Sequence, residues 1–271
     1  MHTKKRISPI AVILIILGIA ILAVGIVFLA LYLNGYRYIR IPVGEEDGEV
    51  LYVKYLGIVD ENEVPYRGRI VYTDGLTADV DMEANEIRYS NGDIYSGELT
   101  NLEKNGYGKL TYSGGDVYEG QFADGKLTGT GKYTYTNGDV YEGEFKDGKK
   151  DGEGKYTWSD GSYYEGGFES DKKHGHGVYV WADGSSYEGD FVYNIKEGEG
   201  KYVYANGDIY EGGFVSDVRS GVGKYTWTNG EIYEGEFKDN LPNGTGRYTW
   251  PSGRTYEGHF ENGVIIRTET E

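Results

Sequence analysis

The sequence predicts an all-β protein: an elongated, single-layer antiparallel sheet of tandem 23-residue β-hairpins, preceded by one transmembrane α-helix. Three observations predict it. No residue from Ile10 to Leu33 carries a charge. From Tyr95 onward a tyrosine recurs every 23 residues without insertion. The composition, with 44 Gly and 28 Tyr but only 5 Pro in 271 residues, suits short strands joined by tight turns. Aromatic residues at 15% are too many for a disordered chain. The lack of Cys excludes disulfides, thiolate metal sites and cysteine nucleophiles. A net charge of -17 argues against nucleic acid, whose phosphates need clustered Lys and Arg.

Residues 1–9 read as a basic tail carrying Lys4, Lys5 and Arg6. Residues 10–33 read as the transmembrane helix. At about 1.5 Å per residue the run extends roughly 36 Å, enough to cross a hydrocarbon core of about 30 Å. A cleaved signal peptide is the alternative. Its apolar core is about 7–15 residues long and a small-x-small site follows, whereas this run exits through Ala30-Leu31-Tyr32-Leu33-Asn34. Tyr32, Tyr36 and Tyr38 then fall at the exit interface, where amphipathic rings collect. Basic residues are denser before the run than after it, where Arg37 and Arg40 follow. The expectation is a single-pass membrane protein, N-terminus inside, with an extracytoplasmic repeat domain.

Residues 34–94 read as a β-rich cap. YRYIRI and EVLYVKYL alternate at period two, as half-buried strands do. Gly68-Arg69-Ile70-Val71-Tyr72-Thr73-Asp74-Gly75 mimics the second half of a repeat. Residues 66–92 are therefore expected to hold a worn copy, and residues 36–94 together a small β cap that covers the first edge of the array.

Residues 95–263 form that array, seven full units and a half. The leading tyrosines are Tyr95, Tyr118, Tyr141, Tyr164, Tyr187, Tyr210, Tyr233 and Tyr256. Four residues after each comes Phe, from Phe122 to Phe260, with Leu99 in the first unit. Every Trp sits seventeen residues after its leading Tyr. Tyr118, Gly120 and Phe122 share one face of a strand, and Gly131, Tyr133 and Tyr135 one face of the next, with ADGKLTGT as the loop between them. Facing Tyr118 with Tyr133 sets Gly120 opposite Gly131 and Glu119 opposite Lys132. The same register pairs Glu142 with Lys155, Glu211 with Lys224 and Glu234 with Arg247. The outer face is expected to carry these ion pairs within each hairpin, about 0.2–1 kcal/mol each. Asn137-Gly138 and its counterparts make the tight reversals. Strand glycines leave room for rings, and Pro242 and Pro251 are expected in connections. Residues 264–271 read as an apolar half strand and an acidic tail.

Units of the form YEGxFxxGxxxGxGxYxxxxG resemble MORN repeats (membrane occupation and recognition nexus) over residues 95–263. The resemblance implies a row of hairpins in one long twisted sheet, stabilised between nearest neighbours. It also implies a protein-interaction scaffold, a dimerisation module or a membrane-proximal tether, lipid binding being a proposed role in the family. Enzymes of the family carry an attached kinase or methyltransferase domain. Eight residues follow the array here. The expectation is therefore a non-enzymatic protein with no catalytic residue, metal or cofactor.

His174-Gly175-His176 reads as a solvent-exposed hairpin loop rather than a metal pair. Asp79, Asp81, Glu83 and Asn85 resemble the oxygen ligands of a calcium loop but lack its central Gly and closing Glu. The regularly spaced Glu residues suit a solvated face better than acid–base catalysis. The candidate interaction surface is the ring row Tyr135, Trp158, Trp181, Tyr204, Trp227 and Trp250. The function expected is a membrane-anchored scaffold presenting a β-surface to protein partners or to a second copy. One alternative is a glycan-binding surface protein that stacks sugars on the aromatic face. A lipid tether is the other. Of the 27 basic residues three precede the apolar run, and 44 acidic residues outnumber the remainder, which disfavours anionic lipid for the array as a whole.

Overall fold

The computed structural model describes residues 9–46 and 49–266. Lys4, Lys5, Arg6 and the acidic tail after Ile266 lie outside the described residues. The chain divides into two compact units, Met1–Lys104 and Asn105–Glu271. After one helix it is all-β, with 21 antiparallel strands built as tandem hairpins.

In the first unit α1 (Pro9–Leu33) is apolar on every side, and its described side chains are exposed all round. Its Val12–Leu33 stretch is long and apolar enough to cross a bilayer. The helix ends where Asn34 N and Nδ2 both donate to Ala30 O, at 3.1 and 2.7 Å. Arg37 closes the same end. Its guanidinium lies 3.9 Å over the Tyr32 ring and donates to Tyr32 O at 2.8 Å, a cation at the negative end of the helix dipole. Six strands follow, each antiparallel to the next: β1 (Tyr36–Glu46), β2 (Glu49–Val59), β3 (Pro65–Val71), β4 (Thr77–Asp81), β5 (Glu86–Tyr89) and β6 (Ile94–Thr100). Val53, Tyr55, Ile70, Val80, Ile87 and Tyr95 fill the buried face.

In the first unit the counterpart of a leading tyrosine is Tyr55, outside the 66–92 stretch. That side chain is fully buried, and its Oη donates to Ile58 O at 2.7 Å. Its ring lies over Gly57 and Gly68, which face each other across β2 and β3. Val59 and Ile70 then take the places that Phe and Tyr hold in the array.

In the second unit β7 (Glu103–Thr111) precedes the hairpin of β8 (Val117–Ala123) and β9 (Lys126–Thr134). The pattern repeats as β10 (Val140–Lys146) with β11 (Lys149–Thr157), β12 (Tyr163–Glu169) with β13 (Lys172–Val180), and β14 (Ser186–Val192) with β15 (Ile195–Val203). It continues as β16 (Ile209–Val215) with β17 (Val218–Thr226), β18 (Ile232–Lys238) with β19 (Leu241–Thr249), and β20 (Thr255–Glu261) with β21 (Val264–Ile266). From β7 to β21 each strand pairs antiparallel with the next, and Tyr118 faces Tyr133 while Gly120 faces Gly131, as the sequence predicts.

The loop expected over ADGKLTGT is far shorter. Only Asp124 and Gly125 turn, at φ of 49° and 75°, the two left-handed positions of a type I′ reversal. Lys126–Thr134 is already strand, and an irregularity opposite Gly120 and Gln121 absorbs two extra residues of β9, Gly129 and Thr130. The reversal at Asn137-Gly138 forms as expected, with Gly138 N donating to Tyr135 O at 3.0 Å. Pro242 sits inside β19 rather than in a connection. It fits because the N–H at this slot does not enter the ladder. Lys150, Lys173, Lys196 and Arg219 instead donate theirs to Asp171, Asn194, Asp217 and Asn240 side chains in the following turn. At Pro242 the corresponding turn residue is Gly263, which has no acceptor to leave unused.

The inner face follows from three residues. Each leading Tyr from Tyr118 to Tyr233 is fully buried, and its ring covers two glycines. A Cβ on Gly200 would lie 2.6 Å from Tyr187 Cε2. The hydroxyl bonds three residues on, as Tyr141 Oη to Glu144 O at 2.9 Å. Phe145 meets Tyr141 edge to face at 5.1 Å and Tyr118 of the preceding unit at 5.0 Å. Such contacts, about 0.5–1.5 kcal/mol beyond area burial, run on to Phe260.

On the outer face the ion pairs join neighbouring units, not the strands of one hairpin. Lys132 reaches Glu142 at 2.8 Å, Lys201 reaches Glu211 at 3.1 Å and Lys224 reaches Glu234 at 3.3 Å. Glu142 stands opposite both Lys132 and Lys155, so register alone does not choose. All are about half exposed, which limits each to about 0.2–1 kcal/mol.

Candidate interaction surface

The structure brings all six sequence-predicted rings together. Each of Tyr135, Trp158, Trp181, Tyr204, Trp227 and Trp250 opens a tight turn and is half-buried. Tyr156, Tyr179, Tyr202, Tyr225 and Tyr248 fill the gaps between them. Centroids along the row are 5.7 Å for Tyr135–Tyr156, 4.7 Å for Tyr156–Trp158, 5.0 Å for Trp158–Tyr179 and 4.3 Å for Tyr179–Trp181. The series continues through Tyr225–Trp227 at 4.5 Å to Tyr248–Trp250 at 4.9 Å. These rings are more open than the leading Tyr and Phe rows, which are buried.

A second feature went unread in the sequence. Lys150, Lys173, Lys196 and Arg219 recur every 23 residues between the two aromatic rows. Lys173 Nζ lies 4.5 Å from the Tyr179 ring and 5.6 Å from Tyr164. Lys196 Nζ lies 5.3 Å from Tyr202 and 5.5 Å from Tyr187. Burial pushes Lys150, Lys173 and Lys196 below the usual lysine range, and the nearby Asp171 or Asp217 only partly offsets it. The same burial raises the Tyr135 phenol to about 12.

Turn carboxylates tie the row together. Asp139 accepts from Tyr156 Oη at 2.8 Å and Ser159 N at 2.9 Å, both in the next unit. Asp208 accepts likewise from Tyr225 Oη and Thr228 N, at 3.0 and 2.9 Å. Burial pushes both carboxyls up, but the hydrogen bonds they accept outweigh it and leave them below the ordinary carboxylate value.

The remaining candidates fall elsewhere. His174 and His176 lie in strand β13, not in a loop. The His174 ring packs on Tyr193 at 4.9 Å, and His176 Nδ1 is 3.1 Å from Asp190. Asp79 and Asp81 pair with Arg69 and Arg67 at 2.7 Å each, and Glu83 with Arg67 at 3.1 Å. No group of three or more metal-ligating side chains converges among the described residues. The built feature is a periodic aromatic surface underlain by cations, suited to flat, apolar or acidic groups.

Residues 95–117, 118–140, 141–163, 164–186, 187–209, 210–232 and 233–253 each match the MORN repeat. Together they cover more than half of the sequence, and the chain belongs to the MORN-repeat family. No curated relative matches it. Among solved structures it is similar to the TCP domain of Drosophila melanogaster SAS-4 in complex with a proline-rich motif of Ana2. That likeness is at 15% identity over 72% of this chain and 90% of the other, with a TM-score of 0.28. The TCP10 domain of Danio rerio CPAP with a STIL peptide is 12% identical over 74% and 97%, with a TM-score of 0.25. Virginiamycin B lyase from Staphylococcus aureus is 8% identical over 83% and 89%, with a TM-score of 0.15. Likeness this low carries no argument about partners or chemistry.

Proposed function

We propose that the protein is a membrane-anchored, non-enzymatic scaffold whose ring row receives protein partners or a second copy of the chain. The observation that carries this reading is the row itself: half-buried rings recur unit after unit, with partly buried cations beside them. Flat rings with little rotamer freedom give contact area at low entropic cost, which favours protein recognition. The all-apolar α1 supports the anchor; the denser basic residues before it, Lys4, Lys5 and Arg6, are what favour an inside N-terminus, and residues 34–94 are read as a cap. The second reading, a glycan platform, draws on the same exposed ring faces.

The test is in-cell crosslinking of the full chain, comparing wild type with the Trp181→Ala, Trp227→Ala double variant. A melting curve runs beside it, since removing a well-packed Trp costs roughly 3–5 kcal/mol and these rings are only half-buried. Scaffold function predicts discrete protein or self-crosslinks that the double variant loses while still folded. Unchanged crosslinks together with abolished glycan capture would replace the scaffold with the sugar reader.

A further inference from the structure

The outward face of β1 and β2 is unlike any outward face of the array. Alternation places Tyr36, Tyr38, Arg40 and Pro42 of β1 and Tyr52, Lys54 and Leu56 of β2 on one side. The opposite side holds the buried Val53 and Tyr55. A sheet face turned to water carries polar residues. Here Tyr38 is 63% exposed, Leu56 56%, Tyr36 39% and Tyr52 38%. The register pairs Tyr38 with Leu56, Arg40 with Lys54 and Pro42 with Tyr52.

Arg40 and Lys54 are thus like charges directly opposite each other, an arrangement that destabilises a strand pair in water. Neither has an acidic partner among the described residues, and the Arg40 guanidinium lies 4.6 Å over the Tyr52 ring. Two cations unpaired among the described residues, set among exposed rings in a chain of net charge -17, are complementary to an anion held at an apolar boundary. The face is also continuous with the helix. Phe28, Leu29, Leu31 and Tyr32 of α1 line one pocket of about 650 Å³ with Tyr36, Tyr38 and Leu56. In the backbone register Glu46 faces Glu49 and Glu45 faces Val50, at the end of the hairpin away from α1.

From this we infer that the outward face of β1 and β2 lies on the bilayer that α1 enters and holds an anionic phospholipid there. Arg40 and Lys54 meet the headgroup phosphate, while Tyr36, Tyr38 and Leu56 meet its glycerol and upper acyl region. This rests on the anchor reading of α1. It assigns lipid contact to the first unit alone and not to the acidic repeats. The face does two things at once: it shields apolar rings from water and it relieves the Arg40–Lys54 repulsion.

The chain has no Cys, so a single introduced thiol reports one position. The full protein is placed in nanodiscs of phosphatidylcholine, or of phosphatidylcholine with phosphatidylglycerol. Labels at Leu56→Cys, Thr130→Cys and Ile19→Cys are then exposed to a water-soluble quencher. The inference expects label 19 shielded in both lipids, label 130 accessible in both, and label 56 shielded severalfold more with phosphatidylglycerol. Adding Arg40→Gln and Lys54→Gln should release label 56, two surface cations shifting the docked-to-lifted ratio by about thirtyfold. An accessible label 56 beside a shielded label 19 overturns the contact and leaves the anchor standing. An accessible label 19 overturns both. Shielding of label 56 that ignores lipid charge or the double variant overturns the headgroup assignment.

Discussion

Tyr55 in the first unit and Tyr118 in the second make the same arrangement from different surroundings. Each is fully buried, each covers a pair of facing glycines, and each hydroxyl bonds a carbonyl three residues on. Around Tyr118 stand Phe122 and Tyr133, whereas around Tyr55 stand Val59 and Ile70. Outward, Glu119 and Lys132 belong to the ion-paired face of the array; of their counterparts, Arg69 keeps such a pair with Asp79 of the next strand, and Leu56 breaks the pattern. The difference separates two kinds of requirement. Tyrosine over two glycines is what this hairpin needs to form. The other inner slots accept any apolar residue of fitting volume, and the outer face is left free for use.

The comparison breaks most sharply at the glycines. Gly68→Val and Gly200→Val should each cost about 3 kcal/mol by overpacking. At Gly68 the added atoms meet Gly57 Cα at 2.5 Å as well as the Tyr55 ring, and at Gly200 they meet the Tyr187 ring. Urea denaturation of the full chain checks both. A tolerated Gly68→Val would show that the first unit is not a repeat-type hairpin.

Next comes a feature of the array, the turn carboxylate. Asp208→Ala leaves Tyr225 Oη and Thr228 N without their acceptor, a loss of about 1–3 kcal/mol. The pH dependence has a definite sign. The folded-state value of Asp208 lies below its ordinary 3.8, so its contribution is full above that value and fades as pH falls through the lower one. Melting temperature measured from pH 7 down to pH 3 should drop more steeply for wild type than for Asp208→Asn. Parallel curves would remove the carboxylate from the account.

The smallest effects belong to the outer faces. Glu142→Gln removes a half-exposed ion pair with Lys132 and should cost at most about 0.5 kcal/mol. Leu56→Ser in detergent should leave the melt equally unmoved, because that side chain is largely exposed. A large loss at either position would mean that the outer face also specifies the fold.

The period, the strand register and the Asn-Gly reversals were legible because each leaves an unbroken mark in the sequence. The other turns were not. Ser170-Asp171 and Tyr193-Asn194 adopt the same paired left-handed geometry as Asp124-Gly125 without its sequence signature, since the hairpin register imposes it. Tyr55 stayed hidden because β4 and β5 intervene before Tyr95 and shift it off the period. The six rings were found from spacing alone. The cations beside them share that spacing, but Leu127 and Pro242 interrupt the series at both ends and mask it.

The N–H groups of Lys150, Lys173, Lys196 and Arg219 have a consequence for how long such a protein can be. Each takes its acceptor from a turn 21 residues ahead, inside the following unit. Removing residues 164–186 would present Asn194 to Lys150 and Phe191 to Tyr141, so every donor and every ring finds an equivalent mate. Removing one residue more or fewer would leave all of them mismatched at the joint. Length in this stretch is therefore quantised: the array can gain or lose whole units at little cost and tolerates no fraction of one.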